Sequence, residues 1–182
     1  MSEIVGAIFD LFAKFGAGGY GEDLSLGEHM LQSAALAEAE GAPQALIAAA
    51  LLHDIGYFLH PDSETSVTDG RNIEHESLGA AWLSQAYGAD VTAPIALHVA
   101  AKRYLCAVDP AYHGRLSEAS RLTLAAQGGP MNAAECARFK SDPAYDAALT
   151  LRRWDDQGKD IDAAPLSLEH FRPVLLATLR AD

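Results

Sequence analysis

Apolar residues along this chain recur in helical register, and polar or glycine punctuation cuts them into segments about one helix long. The opening stretch MSEIVGAIFDLFAKFG has the one-sided spacing of an amphipathic helix. Ser25 followed by Glu28 is a capping box, and Gly41 stops the segment it opens, which predicts a helix over roughly 26–40 carrying His29. Pro43 suits the first turn of the next, roughly 43–54, whose apolar run leads straight into His53-Asp54. Gly56, Pro61, Asp62, Asp69 and Gly70 predict a long loop over 55–72. Asn72 can cap a helix that carries His75 and Trp82 and stops near Gly88. Asp90 or Thr92 opens another, with His98, Lys102 and Tyr104 on it. Ser117, Asn132 with Glu135, Asp142 before Pro143, and Ser167 mark four further starts. There is no strand-like alternation of useful length and no internal repeat. The expected fold is all-α, a single helical bundle of about eight helices spanning residues 1–182, with 55–72 and 106–116 as its mobile parts.

Composition narrows the function classes. At 182 residues and 49% apolar, the chain suffices for one domain with a sizeable core. No run approaches the ~20 apolar residues of a membrane span. The N-terminus lacks a basic start, a long apolar run and a cleavage site, so no signal peptide is expected. Cys106 and Cys136 are too few for a disulfide framework and are expected to be reduced, which places the protein in the cytoplasm. The formal charge of −12 argues against a nucleic-acid partner, which would need a basic face. Any basic residue close to a likely ligand is therefore informative, and a few converging on one pocket would hold a small anion.

The densest chemical feature is His53-Asp54 at the end of the apolar helix. Adjacent helical residues point about 100° apart, so they share a metal only where the helix breaks, and Gly56 supplies the break. His29, His53, His75 and His98 recur at gaps of 24, 22 and 23 residues, each in or at the end of a separate predicted helix. Antiparallel helices with short turns return to one level of a bundle at about that interval, so the four can converge at one depth. Imidazole suits zinc, iron, copper and nickel, and a carboxylate in the set favours iron or manganese. Two metals need a bridge, for which Asp54 is the natural candidate; Glu22 and either Asp155 or Asp156 of LRRWDD are the remaining carboxylates near apolar faces. His60, His113 and His170 are expected to be exposed.

The segments YGEDLSLGEHMLQ (20–32), LLHDIG (51–56), IEHESLGA (73–80), LHVAAKRYL (97–105), LSEASRLTLAAQGGPM (116–131) and LRRWDD (151–156) together resemble the HD-domain superfamily. Within it they are most similar to the mixed-valent di-iron oxygenases that degrade organophosphonates, relatives of myo-inositol oxygenase. The resemblance implies one iron held by His29, His53 and Asp155, a second by His75 and His98, and Asp54 bridging them. It implies that Glu22 occupies the substrate-facing iron until substrate displaces it, with Tyr20 in the same gate, one residue off the family spacing. Lys102 and Arg152 match the residues that hold the substrate's oxygens, and Ser120 and Thr123 would add hydroxyl donors.

The activity so implied is oxidative carbon–phosphorus bond cleavage of a small hydroxyphosphonate by O2, with an Fe(II)/Fe(III) pair as cofactor. The substrate would be 1-hydroxy-2-(trimethylammonio)ethylphosphonate, giving glycine betaine and phosphate, or 2-amino-1-hydroxyethylphosphonate, giving glycine. One departure bears on the choice. Where the family member acting on the primary amine has a histidine four residues after the HD histidine, this chain has Tyr57. A trimethylammonium group has no N–H to donate, and an aromatic ring suits it, which favours the methylated substrate. The alternative within the superfamily is a metal-dependent phosphohydrolase acting on a nucleotide. Such enzymes commonly manage with the H…HD…D set, whereas this chain adds His75, His98 and Glu22.

Overall fold

The computed structural model describes residues 3–19, 23–60, 71–164 and 166–181. Among them are eleven α-helices and one 3-10 turn, and no strand beyond two isolated bridges. Tyr20 and Glu22 lie outside the described residues, as does 61–70 of the expected loop.

The centre of the bundle is α3 (Gln44–Leu52), in which every residue from Ile47 to Leu52 is buried. A helix apolar all round has to sit inside, and each of its larger side chains contributes roughly 1.5–3 kcal/mol by leaving water. Around it pack α2 (Leu26–Ala39), α6 (Ala89–Val108), α10 (Tyr145–Gln157) and α11 (Arg172–Ala177). α1 (Glu3–Phe15) lies against α4 (Ile55–Leu59), where Phe12 meets Phe58 edge to face at 5.3 Å. α5 (His75–Leu83) packs on both α4 and α6. The short helices α7 (Pro110–Arg115), α8 (Glu118–Ala126) and α9 (Ala133–Lys140) follow α6.

Several expected signals hold. Ser25–Glu28 and Asn132–Glu135 are both complete capping boxes, and Ser117 and Ser167 accept from backbone N–H groups at the starts of α8 and of the 3-10 turn. Both cysteines are free. No helix among the described residues is long and apolar enough to cross a membrane.

Other expectations need correction. Residues 55–59, read as loop, form α4, because Asp54 bends the chain only briefly before the apolar Ile55–Leu59 resumes. Much of 106–116 is likewise helical: Pro110 and the Asp109 cap start α7, and Tyr112 anchors it by burial. Asn72 accepts from the Glu74 N–H, but α5 begins only at His75, with Glu74 in the left-handed region at φ +51°. α6 starts directly after Gly88, ahead of either expected cap. Asp142 accepts from the Ala144 N–H one turn before α10. His113 and His170 are exposed as expected, whereas His60 is half-buried.

Candidate metal centre and anion pocket

Four helices bring one histidine each to a common point. His29 comes from the first turn of α2, His53 caps α3, His75 opens α5, and His98 lies mid-α6; all four are buried. His29 Nδ1 donates to the Gly158 carbonyl (2.8 Å), His53 Nδ1 to Ala50 (2.9 Å) and His98 Nδ1 to Ile95 (2.7 Å). A carbonyl can only accept, so each of these three rings carries a proton on Nδ1 and turns its Nε2 inward, where it can take a metal or a second proton. Those Nε2 atoms stand in pairs, His29 to His53 at 3.1 Å and His75 to His98 at 3.1 Å. Each pair is close enough for its two nitrogens to share one cation, a proton or a metal.

Asp54 sits between the pairs. Its Oδ2 is 3.3 Å from His53 Nε2 and 3.8 Å from His29, while its Oδ1 is 3.2 Å from His75 and 3.5 Å from His98. One carboxylate oxygen thus belongs to each pair, and two groups able to hold a metal ion share this residue: His29, His53, Asp54 and Asp54, His75, His98. Asp155 lies beside the first group, 3.3 Å from His29 Nε2 and 3.9 Å from His53. Burial alone would lower the His53 imidazole, but the Asp54 and Asp155 carboxylates outweigh it and hold it up at about 9. Burial works against the Asp54 charge, yet His53 and the neighbouring imidazoles keep its carboxyl well below the usual range. Paired imidazole nitrogens, carboxylate donors and a shared anion fit two borderline cations such as iron.

The choice between the two α10 carboxylates is geometric. Asp155 faces the imidazoles, whereas Asp156 pairs with Arg152 and accepts from the Tyr112 hydroxyl at 2.7 Å. Arg152 is held in a frame by three contacts. Its Nη1 is 2.7 Å from Asp155, Nη2 bonds Asp156, and Nε donates to the Tyr112 hydroxyl at 3.1 Å. Three of a guanidinium's five N–H groups are thereby used, leaving two for an anion.

A cavity of about 40 Å³ opens on this cluster, and Lys102, Arg152, Ser120, Thr123 and Tyr57 all line it, together with the metal-facing residues His29, Asp54, His75, His98 and Asp155. Lys102 Nζ donates to Thr123 Oγ1 at 2.9 Å. Tyr57 stacks on the His75 ring, centroids 4.2 Å apart and 17° from parallel. The same cavity is lined by Lys159 and Gln127, neither of which the sequence singled out. Lys159 Nζ reaches Ser117 and Ser120 Oγ, each at 3.3 Å, and the buried side-chain oxygen of Gln127 has no hydrogen-bond partner among the described residues. Gln127 stood within the motif ending in QGGPM, and that was its one signal; Lys159 had none.

A family model described as HD domain matches residues 26–123. The chain is 42% identical to a 1-hydroxy-2-(trimethylamino)ethyl phosphonate dioxygenase (glycine-betaine-forming) of Leisingera caerulea, over 95% of this chain and 87% of that one. It is 44% identical to a hydroxymethylphosphonate dioxygenase of Gimesia maris, over 86% of this chain and 79% of the relative. An uncharacterized protein of Acanthamoeba polyphaga mimivirus is 36% identical over 96% of this chain and 81% of its own length.

Proposed function

This chain belongs to the HD-domain family of organophosphonate oxygenases, and from that membership we propose that it cleaves the carbon–phosphorus bond of a small 1-hydroxyphosphonate with O2. The observation that carries the reading is Asp54, with one carboxylate oxygen turned to each histidine pair beside a cavity lined by Lys102 and Arg152. Two iron ions are the proposed cofactor, one held by His29, His53 and Asp155, the other by His75 and His98, with Asp54 shared. When bound, the pair supplies dioxygen activation and lowers the pKa of the substrate hydroxyl.

The chain's own residues bind and orient. Lys102 and the two remaining Arg152 N–H groups take phosphonate oxygens, with the Ser120 and Thr123 hydroxyls beside them. The Tyr112–Asp156 contact fixes the plane of the guanidinium, so the phosphorus is presented in one orientation. Tyr20 and Glu22 are assigned the gate that substrate opens. The overall conversion of R–CH(OH)–PO3 and O2 into a carboxylate and phosphate balances without a further reductant, because the C–H and C–P bonds supply all four electrons.

For the substrate's other end we assign Tyr57 as the group that receives a trimethylammonium, which makes 1-hydroxy-2-(trimethylammonio)ethylphosphonate the substrate and glycine betaine the product. A second reading is hydroxymethylphosphonate, which has no second substituent to house and for which the Gimesia maris relative is named. Steady-state kcat/KM on the two compounds and on 2-amino-1-hydroxyethylphosphonate separates them. The first reading expects the trimethylated compound to lead and Tyr57→His to shift preference toward the primary amine. The whole proposal fails if iron-loaded protein releases phosphate from nucleotides and none of the three phosphonates supports oxygen uptake.

A further inference from the structure

Three of the four converging imidazoles have the same support: His29, His53 and His98 each donate Nδ1–H to a backbone carbonyl. His75 differs. Among the described residues, the acceptor placed against its Nδ1 is a carboxylate, Glu76 Oε2, at 3.5 Å. That oxygen is buried and has no hydrogen-bond partner among the described residues. An acid in the first turn of a helix ordinarily serves the positive end of the helix dipole from the solvent side. Glu76 is second in α5, yet its side chain is only 13% exposed. Leaving a carboxylate oxygen buried and unmatched is costly, so a group that offsets this is required. Among the described residues, the cationic or N–H group it faces is the His75 ring, at 3.5 Å.

The backbone around this dipeptide is built to hold it. Glu74 adopts φ +51°, ψ +41°, the left-handed region that a residue with a Cβ enters only at a cost. Below it, the His75 carbonyl rests directly on Gly56, where any Cβ would collide with backbone, and Gly79 closes on Gly56 from the next turn. Tyr57 covers one face of the His75 ring. Ring plane and helix start are therefore both set, and Glu76 is carried with them.

We propose that Glu76 is a positioning residue for the metal on the His75–His98 side. Its carboxylate holds the His75 proton on Nδ1 and enriches that imidazole, so the metal it faces is the one of the pair that keeps the higher charge. A carboxylate behind a ligating histidine raises ligand basicity, whereas a neutral carbonyl does so less. The bridge Asp54 is shared, and the backbone supports of the other three histidines are alike, so Glu76 introduces an asymmetry that the four imidazoles themselves lack. The inference rests on the reading of His75 as a ligand in a two-metal centre.

The test uses the full chain stripped with chelator, titrated with Mn(II) by calorimetry, then loaded with iron for a potentiometric titration followed by electron paramagnetic resonance. Wild type is expected to take two ions. Glu76→Gln keeps size and an acceptor but drops the charge; it is expected to weaken one ion by about 10–100-fold, leave the other unchanged, and shift the potential of the iron pair positive. Glu76→Asp, which restores the carboxylate at shorter reach, is expected to fall between. Two ions at wild-type affinity in Glu76→Gln with an unmoved potential would reduce Glu76 to a helix-terminal acid and overturn the inference alone. Equal weakening of both ions with a lowered melting temperature would also overturn it, as a folding effect. Fewer than two ions in wild type would instead remove the two-metal reading on which it stands.

Discussion

Asp54 serves both histidine pairs because the chain stops being helical for one residue. Its φ of −104° and ψ of 9° separate α3 from α4 and turn the carboxylate past the helix end, into the space that His75 and His98 also reach. Asp54→Asn keeps the shape while removing the shared charge. It is expected to drop metal content from two ions to one or fewer and to abolish oxygen-coupled phosphate release, read by metal analysis and an oxygen electrode on the same sample. Lys102 makes a different demand. Burial, with Arg152 beside it, pushes its ammonium down to about 7. Only the protonated form attracts an anion, so affinity for a phosphonate is full below that value and falls as pH rises through it, by at most tenfold per unit. Bound metal cations push the ammonium further down, so the fall begins no higher. Inhibition constants of a non-reactive phosphonate measured across pH 6–9 check this, and a flat profile would place the anion on Arg152 alone.

At the scale of helices, the breaks matter more than the rods. Gly56 is required where α4 meets α5: a methyl group there collides with the His75 carbonyl oxygen, and neither backbone can yield without moving a histidine. Gly56→Ala is expected to cost about 3 kcal/mol or more, read from urea unfolding, and to reduce metal content even where the fold survives. The same logic explains what was readable beforehand. Capping residues act locally, so Ser25, Ser117, Asn132 and Ser167 could be placed from their neighbours alone. The four histidines were legible because helix length converts sequence spacing into depth. The helices α4 and α7 are too short to show a period, and tertiary burial decides them, which hid Tyr112 and its hold on Arg152. Lys159 enters the cavity from beyond the end of α10, so no spacing rule points to it.

For the molecule as a whole, the net charge of −12 says little about the site, where Lys102, Arg152 and Lys159, three of thirteen basic residues, gather around one small cavity. The four imidazoles come from four helices, so a bound metal ties the bundle together as well as serving chemistry. A metal at 1,000 times its dissociation constant adds about 4 kcal/mol if the unfolded chain does not bind it. For a chain of this length that corresponds to roughly 8–16 °C. Chelation is expected to lower the melting temperature by that order and reloading to restore it; identical curves with and without metal would show that the helices hold without the centre.

The end of α10 is fastened to α2 by three hydrogen bonds: His29 Nδ1 donates to Gly158, Gln32 Nε2 donates to Asp160, and the Asp160 N–H donates back to Gln32. His29 and Gly158 are 129 residues apart in sequence, and such long-range contacts form only once both partners are available. During synthesis, a chain still on the ribosome has made His29, His53, His75 and His98 but not Asp155, Gly158 or Asp160. His29 lacks its carbonyl support and the cluster lacks its second carboxylate until residues 155–160 emerge. The centre therefore closes only once residues 155–160 have emerged, and a shorter nascent chain offers a metal no complete housing.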